Sequence, residues 1–120
     1  MLKHRYIEDL IVADLDKKMV FIAGPRQVGK TTLATTIGKN HYAATAYLNW
    51  DSPDHRKIIL SGNFDPQAKL LIFDELHKYR AWKRDLKGLY DTHHDQFAIL
   101  VTGSARLDLY RKGGDSLMGR

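Results

Sequence analysis

The segment GPRQVGKTT, residues 24–32, combines glycines, a lysine and hydroxyl side chains at a fixed spacing. Gly24 precedes Gly29 by five positions, and Lys30, Thr31 and Thr32 follow directly. Glycines permit positive φ and let the main chain approach a bulky anion, so that successive N–H groups can point into one concavity. The lysine adds a full charge, and a hydroxyl oxygen is a ligand that magnesium prefers. The pattern therefore indicates binding of a phosphate chain together with a divalent cation.

This segment matches the pattern G-x-x-x-x-G-K-[ST] in full, and it lies between a predicted strand and a predicted helix. That context disfavours the alternative interpretation, an ordinary glycine turn before a helix. Lys30 is the candidate for contacts with the β- and γ-phosphates, and Thr31 is a candidate magnesium ligand. The candidate nucleotide-binding residues are Gly24, Pro25, Arg26, Gln27, Val28, Gly29, Lys30, Thr31 and Thr32.

An acidic pair, Asp74 and Glu75, ends the apolar run KLLIFDE. Two acids at the end of a buried strand are costly unless another group uses their charge. After a phosphate-binding turn, Asp74 is the candidate that holds magnesium. Glu75 is the candidate general base, which would orient and polarise the water that attacks the γ-phosphate. The alternative is a strand that simply ends at the surface in polar residues.

Composition limits the classes of protein to consider. The 120 residues include 19 basic and 14 acidic side chains, a net charge of +5 that allows a nucleotide or a nucleic acid as partner. There is no cysteine, which excludes a disulfide scaffold and a cysteine zinc site and fits a cytoplasmic location. No apolar run approaches the roughly 18–20 residues that a membrane span needs.

Apolar, strand-like runs alternate with helical patterns along the chain. This order predicts an α/β fold, a three-layer α-β-α sandwich around a parallel sheet. Ligands of such sheets bind beyond the carboxyl ends of the strands, where the candidate residues lie. We expect a single domain over residues 1–120, with an N-terminal helix in residues 1–18 and a nucleotide-binding core in 19–120. The predicted strands are 19–24, 45–50, 69–75 and 96–104, and helices are predicted before and after each of them.

The run Thr102-Gly103-Ser104 follows the fourth predicted strand. A hydroxyl there could reach the γ-phosphate or the attacking water. Thr-Gly-Ser is also common in turns, and Ser104 could instead cap the next helix. The pattern alone does not separate these two interpretations.

Taken together, GPRQVGKTT, LLIFDELHK and VTGSARL resemble the motifs of AAA-type P-loop ATPases. The chain is similar, from RYIEDL to DSLMGR, to a broad prokaryotic family in which such a domain precedes a second domain. The resemblance implies a sheet of strand order 5-1-4-3-2. It also implies Mg-dependent hydrolysis of ATP that is coupled to a protein or DNA partner, and it allows assembly into a homo-oligomer. The alternative is a nucleotide-gated binding module with little hydrolysis of its own. A small-molecule kinase would need an acceptor pocket and a lid, for which no pattern is present.

The resemblance also implies roles for residues beyond the two main motifs. Ser104 would be a sensor of the γ-phosphate, with Thr102 as the second candidate. Asn49, at the end of the second strand, lies where related ATPases keep a polar residue that holds the catalytic glutamate inactive. Arg120 lies where an arginine can reach a neighbouring subunit's nucleotide, although a surface arginine is an equal interpretation.

Compared with that family, the chain stops early, at Arg120. We therefore expect the fifth strand, any helical lid and the second domain to be missing, and the first strand to be an exposed sheet edge. The missing part favours the switch interpretation for this piece of chain.

Overall fold

A computed structural model of the protein describes residues 2–23, 29–103 and 116–118. Helices alternate with strands, as the sequence predicts. The elements are α1 (Leu2–Leu15), β1 (Val20–Ala23), α2 (Lys30–His41), β2 (Thr45–Asn49), α3 (Pro53–Ser61), β3 (Leu70–Asp74), a 3-10 turn (Leu76–Lys78), α4 (Trp82–His93), β4 (Ala98–Gly103) and β5 (Ser116–Met118).

The strands form one sheet of order β2-β3-β4-β1-β5, in which every neighbouring pair is parallel. The α/β class and the predicted strand order are therefore confirmed. The register places Asn49 beside Asp74 and Asp74 beside Thr102. Since the strands are parallel, their carboxyl ends meet at one edge of the sheet.

One detail of the predicted sheet is wrong, because the fifth strand is present. Ser116–Met118 pairs with β1 over three residues, with Val20 opposite Ser116 and Ile22 opposite Met118. A three-residue strand is too short to give a recognisable apolar run, so the sequence pattern does not reveal it. Its backbone pairs with the edge of β1 that we expected to be exposed. The short helix predicted after the fourth strand lies outside the described residues.

Two apolar clusters, one on each face of the sheet, confirm the three layers. On one face, α1 contributes Ile11 and Leu15, and α2 contributes Ala34 and Ile37, against β1, β3 and β4. The other face packs against α3 and α4, and its cluster includes Trp82 at the start of α4. None of the helices in the described part of the chain is both long and apolar enough to cross a membrane.

Local sequence signals determine where α3 begins and ends. The Ser52 hydroxyl accepts a hydrogen bond from the backbone N–H of His55 at 3.4 Å, and Pro53 occupies the first turn. Gly62 ends the helix in the left-handed conformation, with φ 77°. Serine at the N-cap, proline in the first turn and glycine just past the last turn are residue types that favour helix boundaries. Because α3 starts here, the loop that leaves β2 is held close to the sheet edge.

Gly38 lies where α2 approaches the start of β2. A Cβ atom at this position would lie 2.7 Å from Thr45 Oγ1 and 2.9 Å from Thr45 Cγ2. We expect Gly38→Ala to be less stable than Gly88→Ala by about 1–3 kcal/mol, because the added methyl overpacks the contact. The free energy of unfolding in urea, followed by circular dichroism, measures the difference.

Gly88 is the matched control because it also lies in a helix, α4, and a Cβ there would meet nothing within 4 Å. Gly88→Ala should stabilise the chain by about 0.5–1 kcal/mol through helix propensity. Equal stabilisation by the two substitutions would show that the approach of α2 to Thr45 is looser than described.

Candidate functional site

The Asp74 carboxylate is the centre of the candidate site. Three side-chain hydroxyls donate to it: Thr31 to Oδ2 at 2.8 Å, Tyr47 to Oδ2 at 2.5 Å and Thr102 to Oδ1 at 2.8 Å. The donors come from α2, β2 and β4, so this one carboxylate is bonded by three different elements. The structure therefore brings together two predicted magnesium ligands, Thr31 and Asp74, that are 43 residues apart in the chain.

These hydrogen bonds compensate for the burial of a charge. Asp74 is only 5% exposed, and an unpaired carboxylate at that depth would be strongly destabilising. Hydrogen bonds to charged groups are worth about 1.5–3 kcal/mol each. The alternative of a strand that ends in polar residues at the surface does not describe Asp74, which is buried and fully engaged.

The first turn of α2 lies beside this carboxylate. The residue before the helix, Gly29, is in the left-handed region at φ 70° and ψ 34°, and Lys30 is the first helical residue. Lys30 is buried, whereas Thr31 and Thr32 lie on the exposed side of the turn. The first N–H groups of a helix have no intrahelical partners, and the helix dipole favours an anion at this end. In the part of the chain that the structure describes, no atom lies within 4 Å of where a Cβ at Gly29 would be.

Several predicted site residues lie outside the described part of the chain. The first five positions of the phosphate-binding segment are among them, together with the sensor candidate Ser104 and the candidate in-trans arginine, Arg120. They are Gly24, Pro25, Arg26, Gln27, Val28, Ser104 and Arg120.

Glu75 follows β3 in an unusual backbone conformation. Its φ is 60°, and it is the non-glycine residue with positive φ among the residues that the structure describes. Its N–H donates to the Thr102 carbonyl at 3.1 Å, which fixes the backbone against β4. Such conformations are sparsely populated and tend to cluster at functional sites.

The Glu75 carboxylate faces an ammonium and an imidazole on its own turn. Its Oε1 lies 3.5 Å from Lys78 Nζ and 3.6 Å from His77 Nε2. Lys78 Nζ also contacts both carboxylate oxygens of Asp51, at 2.9 and 3.0 Å. These hydrogen bonds to Asp51 raise the pKa of the Lys78 ammonium above its ordinary value. Lys78 therefore links Glu75 to the loop that follows β2.

The predicted partner of Glu75, Asn49, makes other contacts. Its Nδ2 donates to the Tyr47 hydroxyl at 3.3 Å, and its Oδ1 accepts from the Asp51 N–H at 2.8 Å. Among the described hydrogen bonds, none joins the Asn49 side chain to Glu75. In this structure Lys78 and His77, rather than Asn49, contact the glutamate.

Tyr47 is a site residue that the sequence analysis missed. Burial and the hydrogen bond to Asp74 raise the pKa of its hydroxyl to about 12, so the group keeps its proton and donates it at neutral pH. The sequence did contain a signal for Tyr47. Residues two apart in a strand lie on the same face, so Tyr47 shares a face of β2 with the candidate residue Asn49. The same pattern is equally typical of a strand residue that packs against the core.

Known proteins resemble this chain in sequence and in fold. A family model described as an AAA domain matches residues 16–120. The fold is similar to RuvB of Thermotoga maritima, described as a Holliday junction branch migration motor, with TM-score 0.56 and 18% identity over 87% of this chain. C. elegans PCH-2 matches with TM-score 0.47 and 14% identity over 98% of this chain. The matches cover 38% of the RuvB chain and 41% of the PCH-2 chain. No curated protein matches the chain.

The buried hydroxyl of Thr102 tests how strongly the Asp74 carboxylate depends on its donors. Thr102→Val keeps the shape and removes the bond to Oδ1, and we expect it to lower the free energy of unfolding by about 1.5–3 kcal/mol. Thr92→Val is the matched control, because the described bonds of that exposed hydroxyl all lie within its own helix, α4, to the carbonyls of Gly88 and Leu89 and to His93 Nδ1. It should cost less than about 0.5 kcal/mol. Equal effects in urea unfolding would contradict the dependence.

Proposed function

Because the chain belongs to the AAA domain family of P-loop ATPases, we propose that it binds Mg-ATP and hydrolyses the bond between the β- and γ-phosphates. The observation that carries this proposal is the hydrogen bond of 2.8 Å between Thr31 and Asp74. It joins the helix that follows the phosphate-binding segment to the acidic end of β3. A hydroxyl and a carboxylate so placed are the hard oxygen ligands that magnesium takes.

The described residues fit the nucleotide and its metal. Gly29 precedes α2 in the left-handed conformation, no described atom lies within 4 Å of where its Cβ would be, and the positive end of the helix dipole favours an anion there. Residues 24–32 would hold the phosphates, and Thr31 and Asp74 would hold magnesium. The bound metal supplies charge neutralisation at the phosphates. Lys30, at the first turn, would contribute a further positive charge to the β- and γ-phosphates.

Glu75 is the residue we assign to the attacking water. Its carboxylate would orient the water and accept its proton as the water oxygen bonds to the γ-phosphorus. The bond from that phosphorus to the β–γ bridging oxygen breaks, which leaves ADP and inorganic phosphate. The contacts with Lys78 and His77 would orient the carboxylate, and the Lys78 ammonium offsets its charge.

The remaining site assignments extend the proposal to residues at the rim. Ser104, with Thr102 as the second candidate, would sense the γ-phosphate, and Asn49, at the end of β2, would be the polar residue that holds Glu75 inactive. Arg120 would reach a neighbouring subunit's nucleotide, which makes a homo-oligomer or a protein partner part of the proposal. A nucleic-acid partner rests on net charge alone. We place the protein in the cytoplasm, with residues 1–120 as one domain and 19–120 as its core.

A second candidate function is a nucleotide-gated switch that hydrolyses ATP slowly. The observation that favours it is the engagement of the Glu75 carboxylate by Lys78 and His77, which holds the assigned base on its own turn. Turnover would then await a partner that releases the glutamate. Binding of ATP is common to both functions, so binding and hydrolysis are measured separately.

Binding depends on the lysine at the start of α2. We expect Lys30→Ala to weaken binding of a non-hydrolysable ATP analogue about 10- to 100-fold, which corresponds to the loss of charge-assisted hydrogen bonds. Lys39→Ala, on the exposed side of the same helix, should leave the affinity unchanged. Isothermal titration calorimetry measures both. An equal loss in the two variants would contradict a specific role of Lys30, and no binding by the unsubstituted chain would overturn the proposal.

Hydrolysis depends on Glu75. We expect Glu75→Gln to bind Mg-ATP as the unsubstituted chain does and to release phosphate at least about 100-fold more slowly, the size of a general-base contribution. Asp95→Asn makes the same change of charge at a fully exposed position and should leave the rate unchanged. Steady-state phosphate release measures the rates. If Glu75→Gln and the unsubstituted chain release phosphate equally fast, Glu75 does not activate the water.

A further inference from the structure

We infer that Tyr47 is a positioning residue for magnesium, whose hydroxyl holds the Asp74 carboxylate in the orientation in which it binds the metal. The inference rests on the proposed function, since it concerns the same site. It adds a strand, β2, to a metal site that the two sequence motifs would build from α2 and β3 alone.

The hydrogen bonds around Tyr47 run in one direction. The Asn49 amide donates to the Tyr47 oxygen at 3.3 Å, and the Tyr47 hydroxyl donates to Asp74 Oδ2 at 2.5 Å. A phenol has one proton to donate. With Asn49 on the acceptor side of its oxygen, Tyr47 directs that proton to the carboxylate.

This bond complements those of the two threonines. Thr31 shares Oδ2 with Tyr47, whereas Thr102 donates to Oδ1 from the neighbouring strand β4. Thr31 is itself an assigned metal ligand, so its hydroxyl oxygen would also coordinate magnesium when the metal binds. Tyr47 and Thr102 are not assigned as ligands, and they hold the two carboxylate oxygens separately. Such outer partners orient metal ligands, and their loss typically costs 10- to 100-fold in metal affinity.

The Tyr47 ring has its own support, so the hydroxyl can be removed without removing the packing. The ring packs against the cluster of α1, α2 and the sheet and meets the His55 ring edge-on, with centroids 6.2 Å apart. The backbone N–H of Asn49 donates to His55 Nδ1 at 3.0 Å, which fixes the histidine. Phenylalanine at position 47 therefore keeps the ring contacts and loses one oxygen atom.

The test compares nucleotide affinity with and without magnesium. A non-hydrolysable ATP analogue is titrated into the chain in MgCl2 and in EDTA, and the ratio of the two Kd values reports the contribution of the metal. For Tyr47→Phe we expect this ratio to fall about tenfold, through loss of affinity in MgCl2, with the Kd in EDTA unchanged. A merely structural role would weaken binding in both buffers and leave the ratio intact.

Tyr42→Phe is the matched control, because Tyr42 packs against the same cluster and makes no hydrogen bond to Asp74 among the described residues. Its ratio should equal that of the unsubstituted chain. If the unsubstituted chain shows no tightening by magnesium, the proposed function fails and this inference with it. If magnesium strengthens nucleotide binding equally in the unsubstituted chain and in Tyr47→Phe, only this inference is overturned and the proposed function stands.

Asn49→Ala supplies an independent route that leaves the tyrosine in place. Removal of the amide frees the Tyr47 hydroxyl to turn, so the ratio should fall in the same direction. In the Tyr47→Phe background the same substitution should have no further effect, because there is no hydroxyl left to orient. Additive losses in the double variant would overturn the directed chain of hydrogen bonds. If Tyr47→Phe fails to fold, the single variant Asn49→Ala still tests the inference, because an unchanged ratio in that variant would overturn it.

Discussion

A single buried carboxylate, that of Asp74, ties the candidate site to the fold. Its three hydroxyl donors come from α2, β2 and β4, so the charge is tolerated only when these elements have assembled around β3. The cost of burying the carboxylate is offset by contacts that also position the proposed metal ligand Thr31. The folding that brings these elements together therefore also positions the side chains of the candidate site.

A second constraint acts on the residue that follows. Glu75 turns the chain from β3 into the 3-10 turn in a left-handed conformation, which costs a non-glycine residue about 1–3 kcal/mol. Its backbone bond to Thr102 and the ion pairs of its side chain with Lys78 and His77 hold it there. Adjacent acids thus meet different environments. Three hydroxyls donate to Asp74, whereas the Glu75 carboxylate contacts the Lys78 ammonium and the His77 imidazole.

Patterns local in the chain were predictable, and contacts between distant segments were less so. The apolar run before Asp74, the caps of α3 and the segment around Lys30 each carry their signal within a few residues, and the strand order followed from the family resemblance. The three-residue strand β5 was not predicted, because its pairing depends on β1 and not on its own composition. Tyr47 was not predicted, because its hydroxyl acquires a role only when β2 lies beside β3. The side chain of Asn49 bonds to Tyr47 and Asp51 because the loop after β2 turns back on itself.

The position of β1 between β4 and β5 has a consequence for how the chain comes to its folded state. Val20 pairs with Leu100 and with Ser116, partners 80 and 96 residues later in the sequence. A ribosome would release β1 before either neighbour exists, so the strand that leads into residues 24–32 is unpaired until residues 98–103 and 116–118 have been made. Pairings of such long range make folding slow and leave an apolar segment open to aggregation in the meantime. This unpaired interval follows from placing β1 between two strands that are both made after it.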